Sequence, residues 1–204
     1  MLSRVADSVY WMARYIERAE KVGRFIDGNY NLTLGEGIGL SNQWAPLVYT
    51  AGDHELFAEL HGEPDRKSVL HFLAHEPENP NSILSCVANA RENARSIRDT
   101  ITAPMWQQIN TFYLMVKAAA NKIETLDEPN SFCDAVKLAS HTLLGLTDAT
   151  MSHGEAWHFA RIGRLMERAD KTSRIVDVQY YLLLPDAGDV GSSLDVVRWS
   201  ALLR

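Results

Sequence analysis

The chain has 204 residues, 46% apolar and 23% charged, with 20 basic against 26 acidic side chains and a net charge of −6. That length suits one domain or two closely packed halves with a sizeable core, and the acidic balance excludes a global basic field for nonspecific nucleic-acid binding. Two cysteines, Cys86 and Cys133, lie far apart in no metal-ligand spacing, which favours a reducing compartment over a disulfide framework. Asp7, Arg14, Glu17 and Arg18 interrupt the N-terminal apolar pattern, and no later stretch approaches about 18 uninterrupted apolar residues. A cytoplasmic protein with neither membrane nor nucleic-acid partner is the expectation.

The first predicted helix runs from about Arg4 to Leu34, with Ser3 as N-cap and Gly35, Gly37 and Gly39 beyond its end. Val5, Met12, Ile16, Ala19, Ile26 and Tyr30 keep helical spacing along one stripe. Shorter helices are predicted over Trp44 to Tyr49, Glu55 to Leu60 and Arg66 to Ala74. Asn79-Pro80 reads as an N-cap followed by proline at the first helical position, opening a helix to about Thr100. Thr102 and Pro104 open another reaching Ile123, and Pro129 opens one through Leu146. Ser152-His153-Gly154-Glu155 has the form of a capping box for a long helix ending near Leu184. A last helix starts at Ser192 or Ser193. Helices joined by short loops predict an all-α, up-and-down bundle of antiparallel neighbours.

An internal duplication organises the chain. Residues Arg14 to Leu34 and Arg164 to Leu184 align without a gap at an offset of 150, with 10 of 21 positions identical. Arg14, Glu17, Arg18, Ala19, Lys21, Arg24 and Asp27 all recur. Trp44-Ala-Pro-Leu47-Val48 is echoed by Trp199-Ser-Ala-Leu202-Leu203, while nothing in the second copy answers to residues 50–150. The chain therefore divides into a first helical repeat, 1–150, and the start of a second, incomplete one, 151–204, packed on the first.

The repeated residues make a charged face: Arg14, Glu17, Arg18, Lys21 and Arg24 on one helix, Arg164, Glu167, Arg168, Lys171 and Arg174 on the other. Three readings stand open. The face is solvated, laced by i,i+4 pairs such as Glu17–Lys21, Glu20–Arg24, Glu167–Lys171 and Asp170–Arg174. Or the two helices lie side by side around a pseudo-twofold axis, Glu17 meeting Arg168 and Glu167 meeting Arg18. Or the like charges of Arg14 and Arg18, doubled, seat an anion such as phosphate or carboxylate.

Other clusters carry less. His71 and His75 stand four apart with Glu76 following, half a metal site with no third ligand evident, so no metal and no cofactor are expected. His153, Glu155 and His158 surround a helix start that capping already explains. Arg91, Glu92, Arg95 and Arg98 form a secondary polar face. No glycine-rich phosphate loop, nucleophile elbow or Ser/His/Asp order occurs.

MLSRVADSVYWMARYIERAE at the start, the second ERAD at 167–170, NPNSI at 79–83, ARENARSIR at 90–98, and MW at 105–106 with Asn110 together resemble the alpha-E domain family. That family of bacterial all-helical proteins is named for its Glu-Arg motif, here Glu17-Arg18 and Glu167-Arg168. Its members are usually about half as long again, so this chain looks C-terminally truncated beside them. Their genes neighbour, or are fused to, those of circularly permuted ATP-grasp proteins and transglutaminase-like proteins. ATP-grasp enzymes form amide bonds through acyl-phosphates. The resemblance thus implies a helical accessory or interaction module in peptide or amide-bond formation or processing, without assigning a reaction to this domain itself. The alternative is an anionic small-molecule-binding or catalytic domain using the duplicated Arg/Glu cluster. A homodimer that buries Ile175, Val176, Tyr180 or the Val196–Leu203 stripe is also expected, because the second copy lacks the helices that would cover its long one.

Overall fold

The computed structural model describes residues 1–35, 44–120 and 127–182, with side chains up to 31 in the first segment and up to 177 in the last. Eight helices and no strand occur among the described residues. They are α1 (Ser3–Gly35), α2 (Ala45–Ala51), α3 (His54–His61), α4 (Arg66–Ala74), α5 (Ile83–Ser96), α6 (Ala103–Ala119), α7 (Pro129–Thr150) and α8 (Glu155–Leu182). The expected helix from Ser192, its Trp199 echo, Tyr180, and the segment at Ile123 lie outside the described residues or side chains.

Local chemistry sets most boundaries. Asp65 and Ser68 exchange hydrogen bonds in a capping box that opens α4. Thr102 caps α6 with Pro104 in its first turn, and Pro129 opens α7. Three starts differ from the sequence reading. Ser82, not Asn79, caps α5, accepting from the Ser85 amide at 3.1 Å. Asn79 is instead buried in the preceding loop, donating to the Phe72 carbonyl at 3.0 Å and accepting from the Asn81 amide at 2.8 Å. Glu155 is the first residue of α8 rather than its third, and its carboxylate takes the Met1 ammonium at 2.6 Å. Ser3 lies inside α1 instead of capping it.

Helix α1 is roughly 50 Å long by its 33 residues. It forms a four-helix up-and-down bundle with α5, α6 and α7. Ser96 meets Ser8 and Asn81 meets Arg18, so α5 runs against α1. Lys137 meets Asp27 and Asn130 meets Asn31, so α7 does too. Arg91–Asn110 and Gln108–Ala139 link α6 antiparallel to both α5 and α7. Val9, Met12, Ile16, Val22 and Ile26 of α1 pack into a core with Val87, Ile109, Phe112 and Val136. Cys86 and Cys133 are free and buried, and burial pushes both thiols up to about 12.

Helix α8 lies on the other side of α1 and runs parallel to it: Met1 meets Glu155, Tyr10 meets Gly163, and Arg18 meets Glu167. The rule of antiparallel neighbours thus fails at this one pair, for a reason of parity. Helix α7 opposes α1, and four residues separate α7 from α8, so α8 turns back into the direction of α1. Helix α2 packs against α8 and pins it from a second side, through Lys171 and the Ala51 carbonyl.

Candidate functional site

The duplicated motifs meet across the α1–α8 seam. Glu167 is fully buried and accepts from Arg18 Nε at 2.7 Å, Arg18 Nη2 at 3.0 Å and Arg14 Nε at 2.8 Å. Reciprocally, Arg168 Nε donates to Glu17 Oε1 at 2.7 Å. A pseudo-twofold axis between parallel helices makes such contacts reciprocal, and here each Glu reaches the partner helix's Arg one position on. The arrangement is that of the interlocking reading, and it neutralises the Arg14–Arg18 pair that motivated the anion reading.

The two halves are unequal. The Arg18 guanidinium is mostly covered, and its Nη1 donates to Asn81 Oδ1 at 2.5 Å. Asn81 in turn donates to Asp53 at 2.7 Å, extending the network to the start of α3. The Arg168 side chain, by contrast, is 46% exposed. Burial would raise the Glu167 carboxyl, but the hydrogen bonds and charges of Arg18 and Arg14, with Lys171, outweigh it and hold the group below the usual range. Glu20 behaves alike: burial opposes ionisation, and Arg24 and Lys21 overcome it. Arg24 bonds Glu20 directly, while Lys21 lies 3.0 Å from Glu20 and 3.7 Å from Glu17.

Lys171 does not form the expected pair with Glu167. Its ammonium donates to the Ala51 carbonyl at 3.2 Å, because α2 closes over this part of α8. Burial and the nearby Arg18 charge lower its pKa. Arg174 pairs with Asp170 at 3.3 Å and lies against Gly52, whose left-handed φ of 90° ends α2. Arg164 makes no ion pair among the described residues. It lines a cleft of about 60 Å³ between α1, α7 and α8, together with Glu17, Glu20, His141, Arg161 and Arg168.

The secondary polar face is a brace between α5 and α6. Arg91 donates to Asn110 at 2.8 Å and lies 4.9 Å from the Tyr113 ring, while Arg98 sits 4.9 Å over Trp106. Glu92 pairs with Arg95 at 2.7 Å. The ARENARSIR, MW and Asn110 blocks therefore meet in one place. The histidines rearrange the sequence expectation: His75 turns into the core against Phe132, and His71 meets His61 and Glu76 instead. His61 had no signal in the sequence, since nine residues, a turn among them, separate it from His71.

A family model described as a predicted alpha-helical domain with a conserved ER motif, Alpha-E, matches residues 1–204. The chain belongs to the Alpha-E family. Glu-Arg occurs in this chain as Glu17-Arg18 and Glu167-Arg168, the residues exchanged across the α1–α8 seam. Similar curated proteins include uncharacterized protein Mb2597 of Mycobacterium bovis and uncharacterized protein Rv2567 of Mycobacterium tuberculosis, each 24% identical over 183 residues. The match covers 81% of this Alpha-E chain and 21% of each relative, so the chain spans about a fifth of their length. No solved structure matches it. No described helix is long and apolar enough to cross a membrane.

Proposed function

We propose that this Alpha-E chain is a helical accessory module that docks onto an ATP-grasp-type ligase, in a system with transglutaminase-like proteins that forms or processes a peptide or amide bond. The observation that supports docking is a comparison between the two repeats. Val9, Met12, Ile16 and Ile26 of α1 are 0%, 3%, 6% and 1% exposed, covered by α5 and α7. Their equivalents at the offset of 150, Phe159, Ile162, Met166 and Val176 of α8, are 38%, 50%, 54% and 46% exposed. A stripe patterned like a core face, apart from Thr172 where α1 has Val22, is thus exposed over nearly five turns.

The occupant we commit to is a pair of partner helices lying on α8 as α5 and α7 lie on α1. The test is co-purification of the chain with the ATP-grasp-type protein of the same genome. Ile162→Glu and Met166→Lys should weaken that complex at least tenfold. An unweakened complex, or none at all, sinks the reading. A homodimer by light scattering that the same substitutions dissociate would show that a second copy takes the face instead.

The cleft favours a second reading, in which Arg164 holds a small anion. Under it, inorganic phosphate should raise the melting temperature of the wild-type chain and not of Arg164→Ala.

A further inference from the structure

We infer that His61, His71 and Glu76 form a binding site for a divalent transition-metal ion of the zinc class, at the corner where α3 meets α4. Their ligand atoms lie within 4.8 Å of one another. His61 Nε2 is 3.3 Å and His71 Nδ1 is 3.4 Å from the same carboxylate oxygen, Glu76 Oε2. Ligands held about 2.0–2.1 Å from a tetrahedral ion stand about 3.3–3.4 Å apart, so these two edges already have the spacing of a coordination shell. They are poor hydrogen bonds by comparison, since charge-assisted N–H···O contacts close to about 2.7–2.9 Å. His61 Nε2 is in fact a buried nitrogen with no hydrogen-bond partner. A buried imidazole nitrogen aimed at a carboxylate, yet not bonded to it, is what an interposed cation satisfies.

The local fold holds each group in place. His61 is the last residue of α3, one turn after Phe57, and its ring lies 5.2 Å from Phe57 and 5.9 Å from Phe72. Gly62, at a left-handed φ of 74°, turns the chain away and leaves the imidazole facing α4. At the end of α4 the His71 carbonyl accepts from both the His75 and Glu76 amides, which brings the Glu76 side chain back over the His71 ring. The other Glu76 oxygen, Oε1, accepts from the Glu78 amide at 3.4 Å, which turns Oε2 toward the imidazoles. Two neutral imidazoles and one carboxylate form a donor set suited to zinc and its first-row neighbours. The half-exposed His71 leaves one side open for water or a ligand oxygen as the fourth donor.

The test titrates the chain with Co2+ and Zn2+. Wild type should bind one equivalent of Co2+ with a visible d–d spectrum, Zn2+ should displace it, and X-ray absorption should count two imidazoles. His61→Ala and Glu76→Gln, checked for intact helical circular dichroism, should each weaken binding at least tenfold, and His158→Ala should not. Absence of a stoichiometric wild-type site overturns the inference, whatever the variants do. So does a site that survives both substitutions.

Discussion

Glu167 has no contact with solvent and accepts three hydrogen bonds from two arginines, whereas its counterpart Glu17 holds a half-exposed Arg168. Removing the carboxylate of a buried pair strands its cation and costs about 3–5 kcal/mol, against about 0–1 for an exposed pair. In a chain of this size that corresponds to roughly ten degrees of melting temperature for Glu167→Ala, and to less for Arg168→Ala, because Lys21, 3.7 Å from Glu17, still neutralises the buried carboxylate left behind. Glu167→Ala with Arg18→Ala should cost less than the sum of the two singles. Equal losses for Glu167→Ala and Arg168→Ala would refute the asymmetry. The pH dependence has a fixed sign. Glu167 and Glu20 are held below their ordinary range, so the unfolded chain binds protons first. Their contribution is fully present above about pH 4.5 and is lost as pH falls through the folded values. Melting curves from pH 7 to 3 should show the loss below about 4.5, with Glu167→Gln flattening it. The cross-pairing was one of three readings that the repeat left open, because the sequence does not tell which face of each helix meets the other. The inequality was not legible there, since it depends on Asn81 and α2, which lie outside the repeated segments.

At the scale of elements, Gly163 is where α1 and α8 come closest. A Cβ there would stand 2.3 Å from the Tyr10 carbonyl oxygen, backbone that cannot yield without parting the helices. Gly163→Ala should therefore lower the melting temperature, overpacking costing about 1–3 kcal/mol despite a better helix former. Gly28→Ala on α1 meets nothing within 4 Å and should raise it, by up to about 1 kcal/mol of helix propensity. Similar behaviour of the two variants in thermal melts would refute the close approach. Nothing in the sequence separates these glycines, as both sit inside helical patterns and only tertiary contact tells them apart. Helix existence read well because apolar periodicity is long and unbroken. A cap followed by a proline marked the start correctly at Thr102 but not at Asn79-Pro80, so that pattern alone does not fix a start. Starts were misread at Asn79, whose side chain serves a buried loop, and at Glu155, where a tertiary partner competes for the capping carboxylate.

For the molecule as a whole, the repeat makes equal helices with unequal surroundings. Met12→Glu places a charge in the bundle core and should unfold the isolated chain or lower its melting temperature drastically. Ile162→Glu, the equivalent change on α8, should be nearly silent in the isolated chain, within about 0.5 kcal/mol. A large loss for Ile162→Glu would mean that the chain already covers this face.

The parallel course of α1 and α8 carries an electrostatic consequence. Each helix has a macrodipole, equivalent to roughly half a positive charge at its start and half a negative one at its end. In the parallel pair, like ends lie together. For α1 the opposed dipoles of α5 and α7 offset this, while α7, the long helix running against α8, stands across the cleft from it. Glu155 in the first turn of α8 offsets one end only. Helices arriving on the open stripe therefore gain most by running against α8, with their C-termini beside Glu155, so the polarity of a bound partner is set before any side chain touches.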